Sequence, residues 1–495
     1  MTRPTRAIAH ALLLTAFSSP SIRAEAAKPP AHLLKDINTG PAFVGAGTDD
    51  SFESPGIVSG DKLFFGAITD TYGCELWMTD GTEEGTSLVK DILPGMNPRF
   101  LFGILPNTLR SLDEIVLFVA YDQAHGYELW RSDGTESGTF LVKDVFPGIF
   151  PSVIRMGTVF DGLLYFTADD GVHGRELWKT DGTETGTTLV ADIGPDGVSS
   201  SPDGFVVFNG RLFFGADDGT HGLELWETDG SAAGTAMVKD INPSGSAGVI
   251  PEVVAPGKLF LTADDGVHGT ELWQSDGTEA GTVLVKDINP GAVPSRPETF
   301  SPLDGRVYFR ADDGLHGVEL WMSDGTDTGT TLVKDISPGP SPSDPSKLAV
   351  LGHQLYFTAM DPGHGRELWR SNGMQAGTLL VKDIAPGPAD SDHTVSLPVV
   401  VDGILLFVAD DGVHGSELWR SDGTRAGTFL VQDIAAGGAG STPLAFSFFR
   451  GLVLFFADDG LHGREPWIGR APIVTARPQR ALEDRTREVK ALGQE

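Results

Sequence analysis

One phrase, ADDGVHGRELWKTDGT in its Ala168–Thr183 copy, gathers carboxylates, an imidazole and a hydroxyl-rich turn within sixteen residues. Paired aspartates open it. They recur at Asp169 and Asp170, Asp217 and Asp218, Asp264 and Asp265, Asp312 and Asp313, Asp410 and Asp411, and Asp458 and Asp459. Hard cations such as Ca²⁺ take six to eight oxygens, often from carboxylates and loop carbonyls. These twelve aspartates are therefore the candidate metal site, and Ca²⁺ is the candidate cofactor. The spacing matches no EF-hand loop and no RTX nonapeptide. The competing reading is a set of solvated turn aspartates followed by the glycine that lets the loop turn.

Histidine stands five residues before tryptophan in eight copies, from His125 to His462, with Tyr72 in its place in the first. Imidazoles about 48 residues apart do not chelate one ion, so a repeated hydrogen bond from each loop to the neighbouring Lys-Asp strand end is expected. The glutamate two residues before tryptophan has a structural use as well. A hairpin around the DGT turn places Glu75 opposite Lys90, Glu128 opposite Lys143, and likewise Glu224/Lys239, Glu271/Lys286, Glu319/Lys334 and Glu367/Lys382. Such cross-strand charge pairs contribute roughly 0.2–1 kcal/mol each. A catalytic glutamate in every copy is hard to motivate, because a reaction centre is one asymmetric site. No nucleotide loop, zincin motif, nucleophile elbow or Cys/His pair stands out.

The elements that hold these residues follow from the repeat. All nine tryptophans, from Trp77 to Trp467, sit in the same phrase at steps of 47 to 53 residues, which marks a repeat architecture. Within Ser201–Ile241 four short apolar runs are divided by Asn-Gly, Asp-Asp-Gly and Asp-Gly turns, the pattern of antiparallel hairpins. Four strands in about 48 residues is the size of one propeller blade. Near the expected mature N-terminus, AHLLKDINTG, Ala31–Gly40, matches the end of a unit, and the last unit lacks that end after Trp467. The expectation is an all-β, closed β-propeller of about nine four-stranded blades, eight being the alternative count, with the N-terminal strand completing the last blade. Closure removes the sheet edges that an open array must cap. An open β-solenoid is the competing architecture. Core packing between blades is the expected use of the tryptophans, and the [ST]-D-G-T turns are expected to be structural.

ELWMTDGT, ELWRSDGT, ELWKTDGT, ELWQSDGT and ELWMSDGT resemble the bacterial ELWxxDGT repeat family, over roughly Leu34 to Trp467. The resemblance implies an exported, hyalin-like repeat protein and no established activity. ELWETDGS, ELWRSNGM and EPWIGR depart from the phrase at Ser231, at Asn372 and Met374, and at Pro466.

Residues 1–26 read as a secretory signal: Arg3 and Arg6, an apolar stretch Ala7–Phe17, and the small-residue site Ala24–Ala26. Residues 27–470 form the single repeat domain, and 471–495 a mobile or short helical tail. No later run is long and apolar enough for a transmembrane segment. With one cysteine, Cys74, there is no intrachain disulfide. The formal net charge of −32 argues against nucleic acid as a partner. The main functional expectation is a secreted, non-catalytic binding or scaffold module for an extracellular glycan, surface component or protein, assisted by Ca²⁺. The alternatives are a structural surface-layer protein and a propeller enzyme, a polysaccharide hydrolase or lyase with its site in the central channel. The enzyme reading requires polar residues found in only one or two blades. The seventh unit, with Met360, Asp361, Pro362, Asp392 and His393, is the most divergent.

Overall fold

The computed structural model describes residues 30–38, 55–94, 103–105, 107–255, 257–392, 394 and 396–470. The expected signal and tail lie outside them. The described chain forms nine four-stranded antiparallel sheets. Eight are built from consecutive strands. The ninth runs Leu444–Phe449, Leu452–Asp458 and Arg464–Arg470, and is completed by Ala31–Leu33 pairing with Gly469–Trp467. The chain is a closed nine-bladed propeller, and the eight-blade and solenoid alternatives fall away.

In each blade the second and third strands form the longest ladder, as in Leu164↔Thr180 through Asp169↔Arg175. A bulge between Leu177 and Trp178 then shifts the outer strand. Eight of the nine tryptophans are 4–7% exposed and Trp226 is partly buried. Each packs at a blade-to-blade seam; Trp178, for example, joins Phe166 and Ala168 to Leu117, Val119 and Leu129 of the preceding blade. Removing one such fully buried aromatic costs about 3–5 kcal/mol.

The turns after the third strands close on themselves. Asp80 Oδ1 accepts the N–H and hydroxyl of Thr82, whose hydroxyl accepts the Gly85 N–H. Thr79 and Thr86 join their hydroxyls beneath at 2.8 Å. Gly81, at φ 94°, supplies the left-handed conformation that this turn needs.

The first strand of each blade is innermost, and successive first strands pack on one another around the axis. Residues exposed on these strands therefore face the channel. At the next-to-last position stand Val58, Val159, Val207, Val254, Pro302, Val350, Val400 and Phe448, with Ser111 in the second blade. Val58, Val159, Val207, Val400 and Phe448 are 38–44% exposed. Val254 and Val350 pack against the seams between blades, while the exposed five lie near the ends of the inner strands where the first hairpins turn. The opposite end carries the Asp-Asp-Gly loops and the connections between blades.

Candidate functional site

The paired aspartates all lie on that loop-bearing face, one pair in each of six blades, in separate turns. The first of each pair accepts the N–H of the following glycine, as Asp169 Oδ1 does from Gly171 at 2.8 Å. The second accepts two backbone N–H groups, Val172 and His173 for Asp170, while its other oxygen meets the histidine ring. Among the described residues no three or more His, Cys, Asp or Glu converge to hold a metal ion. The turn itself uses most of the oxygens that Ca²⁺ would need.

The histidines differ from the sequence reading. Their partner is not the neighbouring strand end but the aspartate three residues earlier in the same loop, at 2.7–2.8 Å in all eight blades. Its hydrogen bond to Asp170 lifts His173 above the ordinary imidazole range. The odd seventh blade conforms, with Asp361 bonded to His364.

The Glu–Lys pairing is overturned by a one-residue slip. Leu76, not Glu75, stands opposite Lys90, because the bulge before Trp77 absorbs a residue. The lysine reaches the next blade instead, and Lys90 Nζ donates to the Thr139 carbonyl at 2.7 Å. The glutamates are 0–1% exposed and anchor the connections between blades. Glu176 accepts the N–H groups of Ile193, Gly194 and Ser200 and the Ser200 hydroxyl. In the first connection Gly103 sits where serine would be. A Cβ there would lie 2.1 Å from Glu75 Oε1, so no hydroxyl reaches this carboxyl. Burial, with only weak relief from the backbone N–H of Leu93 and Ile92, pushes Glu75 up to about 8.

The asymmetry lies on the inner strands, at residues not singled out in the sequence. Three residues before the last residue of each inner strand stand Gly56, Leu109, Gly157, Phe205, Phe300, Leu348, Pro398 and Phe446 in eight blades. The fifth has Glu252, on the bulge of Ile250–Ala255. Burial, reinforced by the charge of Glu298 in the next blade, pushes Glu252 up to about 7. Glu298 pairs with Arg310. Arg310 is itself the one charge at its position, opposite Leu320, where the other blades carry Gly, Val, Thr or Phe. Flanking ion pairs are Arg155–Asp203 and, at 2.5 Å, Lys347–Asp392. His393 lies outside the described residues. A signal was present: Glu252 stands 21 residues before Trp273, and an alignment of the units on tryptophan shows the lone acid.

A carboxyl whose pKa burial raises, with an arginine-held carboxyl in the next blade, is a pair that acid–base chemistry can use. No family model and no curated protein matches the chain. Among solved structures it is similar to puromycin hydrolase, at 14% identity over 78% of this chain and 61% of that one, TM-score 0.36. It is similar to a structure from a study of two prolyl endopeptidases, at 12% identity over 75% of this chain and 54% of that one, TM-score 0.38. It is also similar to the β-propeller domain of the Trilobed protease from Pyrococcus furiosus, at 11% identity over 67% and 97%, TM-score 0.35. At these values the likeness is one of fold, and the chain spans about three fifths of puromycin hydrolase. The expectation of a non-catalytic binding or scaffold module is corrected in favour of its enzyme alternative. Polar residues found in one blade only, which the enzyme reading required, are present at Glu252 and Arg310.

Proposed function

We propose that this chain is a propeller enzyme that hydrolyses glycosidic bonds in neutral glycans at the loop-bearing mouth of its channel. The observation that carries this is Glu252, the one acid at its place on the nine inner strands and partly buried there, with the Arg310-bound carboxylate of Glu298 in the next blade. Glu252 gives its proton to the glycosidic oxygen as the bond to the anomeric carbon breaks. Water adds to that carbon and Glu298 takes the proton it releases. Proton exchange with solvent restores both groups. A net charge of −32 disfavours anionic polymers and leaves neutral glycans as the substrate class. Export from the cell and the resemblance to ELWxxDGT repeat proteins fit an enzyme that meets glycans outside it.

The test is release of reducing ends from neutral polysaccharides by the mature chain. Glu252→Gln and Glu298→Gln are expected to lower the rate by about 10²–10⁴ with unchanged melting temperatures. Undiminished turnover in both variants sinks the assignment.

A further inference from the structure

Between the seventh and eighth blades lies a pocket of about 410 Å³. One side is the outer strand Leu379–Lys382, and the other is the turn at residues 423–425 of the next blade. Four basic residues line it: His364, Arg370, Lys382 and Arg425. Asp383 is the one acid among the described residues that do so, and its carboxylate accepts the Gly387 N–H. The ring of His364 keeps Asp361 as its partner.

The corresponding seams are neutralised from within the chain. There the lysine meets the residue that follows Asp-Gly-Thr in the next turn. Lys286 Nζ lies 3.0 Å from Asp327 Oδ1. Lys35 and Lys239 reach the carbonyls of Glu83 and Glu279 at 3.3 and 3.5 Å. That turn position is acidic in five of eight turns, at Glu83, Glu136, Glu184, Glu279 and Asp327, and neutral at Ala232 and Gln375. Beside Lys382 it is Arg425. Burial, and then the charge of Arg425, push the Lys382 ammonium below its ordinary value. Lys382 is nevertheless fixed, donating to the Thr428 carbonyl at 2.8 Å above the Trp419 ring. Arg370 is held by its bond to the Gly423 carbonyl at 3.0 Å. Like charges held together by the fold are relieved by an anion between them.

We infer that this pocket binds the phosphate group of a small phosphorylated molecule. A guanidinium fork matches two phosphate oxygens at once, and an ammonium adds a point charge. The volume falls within the range of small-molecule sites, about 300–1,000 Å³, and a bare ion would leave most of it empty. The field of a chain with net charge −32 opposes long polyanions, which leaves a single small anionic group. The site is separate from Glu252 and Glu298, in the fifth and sixth blades, and does not rest on the glycosidase reading.

Calorimetry on the full chain at low salt, with millimolar glucose 6-phosphate, inorganic phosphate and glucose, tests the site. Glucose 6-phosphate is expected to bind, inorganic phosphate to bind more weakly, and glucose not to bind. Inorganic phosphate binding as tightly as the ester overturns the ester and leaves the free ion as the ligand. Arg425→Glu installs the residue that four other turns carry, so its melting temperature is expected to stay unchanged. Its affinity for the ester is expected to fall about tenfold or more. Undiminished binding in Arg425→Glu, or no binding of either phosphate to the parent chain, overturns the site.

Discussion

The ammonium of Lys382 lies 5.1 Å from the ring centre of Trp419 in the next blade and donates to the Thr428 carbonyl at 2.8 Å. Lys90, Lys143 and Lys334 repeat this clamp over Trp130, Trp178 and Trp369. A desolvated cation–π contact and one hydrogen bond together contribute about 1–2 kcal/mol. Lys382→Met is expected to lose that much in a urea titration. An unchanged midpoint would show that packing alone holds the seam.

Glu75 makes stability depend on pH. Its folded-state pKa, about 8, stands above the ordinary 4.5, so the folded chain keeps a proton that the unfolded chain releases. This contribution is complete below about 4.5 and is lost as pH rises towards 8. The rings of His173, His221 and His268, raised in the same direction by their aspartates, add to the decline. The melting temperature is expected to fall across this range, and to fall less in Glu75→Gln. Parallel curves for the two proteins would exclude Glu75 as the source.

The seventh blade carries a weakened turn. Asn372 Oδ1 accepts only the Met374 N–H, at 3.1 Å, because Met374 has no hydroxyl. Asn372→Asp with Met374→Thr restores the two side-chain bonds seen at Asp80 and Thr82. The double variant is expected to be about 1 kcal/mol more stable. No gain would mean that this turn does not limit the stability of its blade.

Calcium tests the aspartate loops directly. Asp170 has both oxygens engaged, by Val172, by His173 and by the ring of His173. Melts in EDTA and in millimolar Ca²⁺ are therefore expected to coincide. A ligand at a hundred times its Kd adds about 2.7 kcal/mol; a rise of that order that Mg²⁺ does not reproduce would make these loops metal sites.

Catalysis should report the titration of Glu252. An acid that must be protonated, with its pKa pushed up to about 7, keeps kcat at a plateau below that pH and loses it tenfold per pH unit above. Arg310→Gln removes the cation that holds Glu298 in place and is expected to lower kcat while leaving the fold intact. A flat profile across neutral pH would exclude Glu252 as the acid.

Much of this was legible in the chain itself. A 48-residue period, alternating apolar runs and Gly/Asp turns force short antiparallel strands, since no other local structure suits that pattern. The split final unit demands closure, because Ala31–Leu33 has no partner, and the outer edge of Trp467–Gly469 none, until the two meet. Local turn chemistry is likewise a matter of neighbours in sequence, as at Asp80 and Thr82. Tertiary structure decided the rest. The bulge before each tryptophan moved Lys90 from Glu75 to Leu76, and strand register is set by side chains packed from two blades at once. The burial that raises the pKa of Glu252 depends on inner strands from neighbouring blades packing together, and Glu298, whose charge adds to it, lies 46 residues on in the next blade. Sequence can mark such a residue as the odd member of a repeat; only the closed ring brings it beside a second carboxylate and takes away its water.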